Sequence, residues 1–218
     1  MSRVLYSGTK NASTWAFRAW LALREQEVQF EEVVVDIRRP QRFQNLQRIG
    51  ELSPARSVPV LEEGDMIIFD SLAIMEYAND IGFGELLPQD PLMRARARAM
   101  LSWQHSGLSG LCPRLSFESA FYPDKRLMTP EEEMDAERLF AAWEGELEQN
   151  GGPYLMGALS LADLAFVPTV IRIFSHAPDL QPWPLTKQWI DRLLGRDSVK
   201  EWMSEAAELP PVVLSDYR

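Results

Sequence analysis

The chain has 218 residues, enough for one large domain or two small ones, and its 46% apolar and 25% charged content is that of a globular protein with a sizeable core. A net charge of −10 argues against nucleic acids and anionic membrane surfaces, which require a basic face, but does not exclude a small anion held by a few local donors. The single cysteine, Cys112, excludes an internal disulfide and fits a reduced, cytoplasmic setting.

MSRVLYSGTKN lacks the apolar core and cleavage site of a signal peptide. No apolar run reaches the ~18 residues a membrane span needs. Arg3 to Ser7 predicts a short strand, and SGTKNAS a polar turn. STWAFRAWLALRE then has apolar residues at helical spacing, with Ser13 at the N-cap position. Val28 to Val35 predicts an edge or half-exposed strand, and Gln41 to Arg48 a helical piece. Val58–Leu61 and Met66–Phe69 predict two strands joined by EEGD, whose Gly64 suits a hairpin turn. Ser71 to Asp80 predicts a helix capped by Asp70 or Ser71. IGFGELLPQDP breaks the pattern as a linker does.

Beyond Pro91 the periodicity is helical throughout. Asp90 caps a long helix, and Thr129, with Pro130 and three acids, caps another. Shorter helices fit 160–175, 184–194 and 197–206. The chain therefore divides into an α/β domain over 1–81, a linker over 82–90 and an all-α domain over 91–218. No internal repeat, CxxC, HExxH, GxGxxG, P-loop or metal-ligand cluster is present.

Two details of 55–77, ARSVPVLEEGDMIIFDSLAIMEY, need explanation. Pro59 removes a ladder donor between Val58 and Val60, so it belongs to an edge or a special turn. A cis and a trans bond fit the spacing equally. A cis bond would leave the Val58 backbone free to pair with an extended peptide from outside. Asp70 and Ser71 suffice as helix caps. The same pair can also do more, because a helix N-terminus holds a carboxylate and an adjacent Asp holds an ammonium. The α-amino acid end of a γ-glutamyl peptide carries both groups.

SVPVL followed by FDSLAIMEY resembles the glutathione-binding half of the glutathione transferase family. GALSLADLAFVP, with Gly157, Ser160 and Asp163, resembles that family's G-x-x-S-x-x-D motif, a capping box that starts a buried helix. The resemblance covers nearly the whole chain. It implies a thioredoxin-like N-terminal domain, an all-α C-terminal domain and a homodimer lined by the helix from Pro91. It further implies a cis Val58–Pro59 bond, pairing of Val58 with the cysteinyl backbone of glutathione, and an Asp70–Ser71 receptor for its γ-glutamyl group. Glutathione is the implied co-substrate, with no metal.

The first helix begins without a cysteine, so thiol–disulfide exchange there is excluded. A hydroxyl at that N-terminus remains, Ser13 with Thr14 beside it. It can donate to a bound thiolate while the helix dipole adds favourable potential; otherwise Ser13 is only a cap. KNASTWAFRAWLAL resembles serine-type bacterial transferases and the zeta class, whose signature is SSCxWRVRIAL, and this puts Ser13 at the catalytic serine. Trp15 and Trp20 depart from that signature, which bears on maleylacetoacetate isomerisation. Arg18 matches one of its arginines; a salt bridge to the helical domain is the plain alternative. Gln44, or Gln41, falls where zeta-like proteins hold the glycyl carboxylate. Arg56 is close in sequence but reads equally as solvated. Trp15, Trp103 and His105, with Phe117 and Phe121 behind them, are the candidates for an electrophile pocket; at helical spacing they serve equally as core. Two functions follow: an enzyme that activates the glutathione thiolate toward a small hydrophobic electrophile, or by isomerisation, and a non-catalytic relative used for binding or regulation.

Overall fold

The computed structural model describes residues 3–108 and 110–212. One compact unit runs to Gly84 and also takes in Lys200–Val212; a second runs over Glu85–Val199. The first unit holds β1 (Arg3–Gly8), α1 (Thr14–Glu25), β2 (Glu31–Val35), α2 (Arg42–Leu52), β3 (Val60–Glu63), β4 (Met66–Phe69) and α3 (Ser71–Ile81). Its sheet has the order β2-β1-β3-β4. β1 pairs parallel with β2 and antiparallel with β3, and β3 pairs antiparallel with β4. β1, β2 and β4 therefore run one way and β3 the other. The C-terminal ends of β1 and β4 and the N-terminal end of β3 meet at one edge of the sheet, the edge from which α1 and α3 start.

Alternation along the strands sorts the core. Tyr6, Val60 and Ile67 face Ile49 of α2 with Val58, whereas Leu5 and Leu61, on the opposite face, have no exposed surface. The EEGD hairpin carries Gly64 at φ +59 with open space around it, so the turn conformation and not crowding calls for glycine.

Three boundaries differ from the expectations. β2 starts at Glu31, because the Val28 N–H donates to the Leu23 carbonyl and closes the turn after α1. β3 starts at Val60, because the paired register with Tyr6 and Phe69 begins there. α2 runs on to Leu52, where its buried Ile49 anchors the last turn.

The second unit holds α4 (Pro91–Ser106), α5 (Leu111–Arg114), a 3-10 turn (Phe117–Phe121), α6 (Pro130–Asn150), α7 (Leu161–Phe174) and α8 (Pro184–Leu194); α9 (Asp197–Ala207) runs on into the first. Asp90 and Thr129 cap α4 and α6 as their sequences suggest. α5 and the 3-10 turn are too short to leave a periodicity and were not anticipated. α7 is buried on every side from Leu161 to Ile173, against Trp143 of α6 and Trp103 of α4. No helix of the described residues is long and apolar enough to cross a membrane.

Candidate functional site

The topology gathers residues that are far apart in sequence. Ser13 follows β1, Val58–Pro59 precedes β3 and Asp70–Ser71 follows β4, so all of them lie along one sheet edge. The Val58–Pro59 bond is cis. Gly8, the last residue of β1, brings Ser13 and Val58 together. A methyl group at Gly8 would lie 2.6 Å from both Cβ and Oγ of Ser13 and 3.0 Å from Cγ2 of Val58. Only a residue without a side chain lets the Ser13 hydroxyl sit directly on the strand end.

Ser13 is buried and is the N-cap of α1, its Oγ accepting from the Ala16 N–H at 3.4 Å. That is a long cap bond, and accepting it leaves the hydroxyl hydrogen available for donation. The start of α1 adds the partial positive charge of its unpaired N–H groups. Val58 is buried with Ile49 and Val60, two residues before the first paired residue of β3.

Asp70 caps α3 by accepting from the Leu72 N–H at 2.7 Å. Its backbone has φ 36 and ψ 154, a region that favours glycine. A side chain held there costs about 1–3 kcal/mol, and such strain concentrates at functional sites. Ser71, next to the exposed Asp70, is buried, and Arg18 of α1 reaches it. Arg18 Nε and Nη2 donate to Ser71 Oγ at 3.1 and 2.7 Å. Both lone pairs of that oxygen are then engaged, so the Ser71 hydroxyl is left to act as a donor. The Arg18 guanidinium lies 4.4 Å from the centre of the Trp15 ring. Burial pushes the pKa of Arg18 down to about 9 while the nearby Asp70 carboxylate pulls it up, so it stays charged at neutral pH.

The remaining candidates lie on several elements. Gln44 is exposed on the first turn of α2, as is Gln41 at its N-cap, and Arg56 is exposed with φ 49. Trp15 is half-exposed over Arg18. Trp103 and His105 belong to α4 in the second unit, where Trp103 meets the edge of Phe166 and borders an open groove between α4 and α6. Phe117 and Phe121 pack edge to face within the 3-10 turn, 5.4 Å apart. Cys112 is partly buried on α5. Among the described residues no group of three or more His, Cys, Asp or Glu is arranged to hold a metal ion.

Two functional features escaped the sequence reading. Gly8 looked like part of a polar turn, and only its position at the strand end hinted at a close approach. The control of Ser71 by Arg18 joins residues 53 positions apart.

The family model described as "Glutathione S-transferase, N-terminal domain" matches residues 12–81, and "Glutathione S-transferase, C-terminal domain" matches 116–206. The chain belongs to the glutathione S-transferase family. It is 30% identical over 183 residues to maleylacetoacetate isomerase of Mus musculus, covering 83% of this chain and 82% of that protein. It is 31% identical over 200 residues to glutathione S-transferase 1 of Dianthus caryophyllus, covering 87% of this chain and 86% of that one. In three dimensions the fold resembles a glutathione transferase homologue from Burkholderia solved with bound glutathione, at a TM-score of 0.71 and 21% identity, over 96% of this chain and 100% of that one. The thioredoxin-like sheet and the helical second unit are thus those of the transferase fold.

Proposed function

We propose that this glutathione S-transferase family member binds glutathione along the sheet edge and activates its thiol for attack on a small hydrophobic electrophile. The carrying observation is that Ser13, at the start of α1, and Val58 both border Gly8 at the strand ends that also carry Asp70 and Ser71. The Val58 backbone pairs with the cysteinyl unit of the tripeptide. The Asp70 carboxylate takes the γ-glutamyl ammonium, and the Ser71 hydroxyl with the α3 N-terminus takes its carboxylate. Gln44 is assigned to the glycyl carboxylate, and Trp15, Trp103 and His105 to the electrophile. The Ser13 hydroxyl donates to the sulfur, which favours thiolate over thiol; the proton leaves to solvent. In conjugation a carbon–sulfur bond forms and the leaving group departs with its electron pair.

A second reading, glutathione-dependent isomerisation, is favoured by the 30% identity to maleylacetoacetate isomerase. There the thiolate adds to a conjugated double bond, the bond rotates and the thiolate leaves unchanged. Trp15 and Trp20 speak against a simple carry-over, since both depart from the zeta signature. A cytoplasmic homodimer built on the α4 face completes the proposal; a monomer in sedimentation at micromolar concentration counts against the assembly.

The test is Ser13→Ala. With an aryl halide at neutral pH its rate falls by about one to two powers of ten, the worth of one hydrogen bond to a charged group. Glutathione affinity changes little, raising the pH restores part of the rate, and Thr14→Ala is mild. Equal rates for Ser13→Ala and wild type across the pH range overturn the role of Ser13. Failure to be retained on glutathione-agarose overturns the binding site. Turnover of maleylacetone without net loss of glutathione decides for the isomerase.

A further inference from the structure

The loop that presents Ser13 is held from two sides. It is a tight turn, with the N–H groups of Ala12 and Ser13 both donating to the Thr9 carbonyl at 2.9 Å. On the sheet side, Thr9 Oγ1 donates to Asp36 at 3.1 Å and Lys10 Nζ lies 2.9 Å from Glu32. On the other side lies Lys200–Val212, which packs into the first unit although it is almost 200 residues distant in sequence. Trp202 stacks on Phe17 of α1 at 4.7 Å with the rings 10° apart, and its indole N–H donates to the Lys10 carbonyl at 2.9 Å. Glu205 lies 2.9 Å from Lys10 Nζ, and the Asn11 amide donates to the Pro210 carbonyl at 3.0 Å and the Leu209 carbonyl at 3.5 Å.

Each anchor is buried on the loop side. Lys10 and Asn11 are 4% and 0% exposed. The Lys10 ammonium bridges one carboxylate from the sheet and one from α9, and it lies over the Trp202 and Trp20 rings at 4.6 and 5.1 Å. A buried ammonium held in this way has a defined position. Two carbonyls face the Asn11 amide nitrogen, so the orientation of that amide is dictated by the need for a donor.

We propose that Lys200–Val212 is a strap that positions the Ser13 loop, with Lys10 and Asn11 as positioning residues that set the pKa of the bound thiol through Ser13. This rests on the reading that the Ser13 hydroxyl donates to glutathione sulfur. The Ser13 oxygen lies in the space a side chain at Gly8 would fill, so a released loop moves the hydroxyl away from where the sulfur must lie. A misplacement of about 1 Å in a reacting group costs as much as about a hundredfold in rate. The tripeptide itself is held by Val58, which packs with Ile49 and Val60, and by Asp70 and Ser71, which bond Leu72 and Arg18, so binding and activation separate.

The experiment uses the full chain with Asn11→Asp, Lys10→Met, Lys10→Arg and Ser13→Ala. Asn11→Asp turns the donor facing two carbonyls into an acceptor at almost constant volume. Lys10→Met keeps the apolar stem and loses both ion pairs; Lys10→Arg keeps the charge. The readouts are the pKa of enzyme-bound glutathione, followed by thiolate ultraviolet absorbance, and glutathione Kd by calorimetric titration. The expected result is a raised thiol pKa and a roughly tenfold lower kcat near neutral pH in Asn11→Asp and Lys10→Met, with Kd within about twofold of wild type and Lys10→Arg close to wild type. An unchanged thiol pKa in both strap variants, with a raised one in Ser13→Ala, overturns the strap and leaves Ser13 in its role. A raised pKa in the strap variants with none in Ser13→Ala overturns Ser13 and leaves a strap acting through the α1 N-terminus. A Kd that rises in proportion to the loss of rate, or a pKa unchanged in all variants, overturns the proposal.

Discussion

Gly8 and Asp70 are each held where an ordinary residue would be disfavoured. At Gly8 the constraint is space. Gly8→Ala introduces a methyl group 2.6 Å from Ser13 Oγ, so either the loop or the strand end must shift. The expected result is at least a tenfold drop in kcat near neutral pH, with about 1–3 kcal/mol lost in stability, measured by steady-state kinetics beside a urea melt. Wild-type kcat in that variant would show that the close packing does not matter. At Asp70 the constraint is conformation, and it separates two roles of one carboxylate. Asp70→Gly relieves the backbone at φ 36, and replacing an N-cap by glycine costs only a few tenths of a kcal/mol. Thermal stability should therefore hold or rise, while glutathione binding weakens by about 1.5–3 kcal/mol as a charge-assisted contact is lost. If calorimetry finds glutathione affinity intact, Asp70 is a cap and no more. The candidates at 13, 58, 59, 70 and 71 were legible in the sequence because Pro59 breaks a local rule for strands, which marks Val58 beside it, and Ser13, Asp70 and Ser71 suit helix starts. Gly8 and the Arg18–Ser71 contact were not, because nothing local distinguishes a turn glycine or a helical arginine from its neighbours.

Among the elements, α7 shows how a sequence motif becomes a structural anchor. Asp163 is fully buried and accepts four hydrogen bonds: from Leu155 N–H and Trp189 Nε1 on one oxygen, and from Ser160 N–H and Oγ on the other. Burial pushes its pKa up while those four donors pull it down. The G-x-x-S-x-x-D spacing announced the Ser160 half of this cluster, since a capping box is local. The Leu155 and Trp189 donors come from other segments. Asp163→Asn keeps the size but offers one oxygen to four donors, and its amide hydrogens face two of them. We expect a loss of about 2–4 kcal/mol, seen as a lower urea midpoint with an unchanged slope. A shift under about 0.5 kcal/mol would mean that the site relaxes around the amide. Helix starts at Asp90, Thr129 and Ser160 were readable for the same reason, whereas the start of β3 depended on partners in β1 and β4.

At the scale of the whole molecule, pH acts on stability through a residue with no part in the site. His176, just beyond α7, is buried, with Nδ1 2.8 Å from the Arg172 carbonyl. Burial lowers its pKa first; the Arg172 carbonyl and Glu132 oppose this, and Arg126 and Lys125 reinforce it. The folded pKa lies below the unfolded one, so the unfolded chain binds the extra proton first and stability falls as the pH drops through about 6.5. Denaturant melts at a series of pH values should show this fall, flattened in His176→Asn; an identical slope in both proteins would assign the effect elsewhere. The sequence by itself determined the division into a mixed α/β part and a helical part, the capped helix starts and the candidates for the proposed site, because periodicity, caps and proline or glycine exceptions are local properties of the chain. Only the tertiary structure decided that Ser13, Val58 and Asp70 share one edge, that Arg18 turns Ser71 into a donor, and that residues 200–212 close on the Ser13 loop. Those facts depend on strand direction and on contacts between distant segments, and the spacing of residues along a chain carries no record of either.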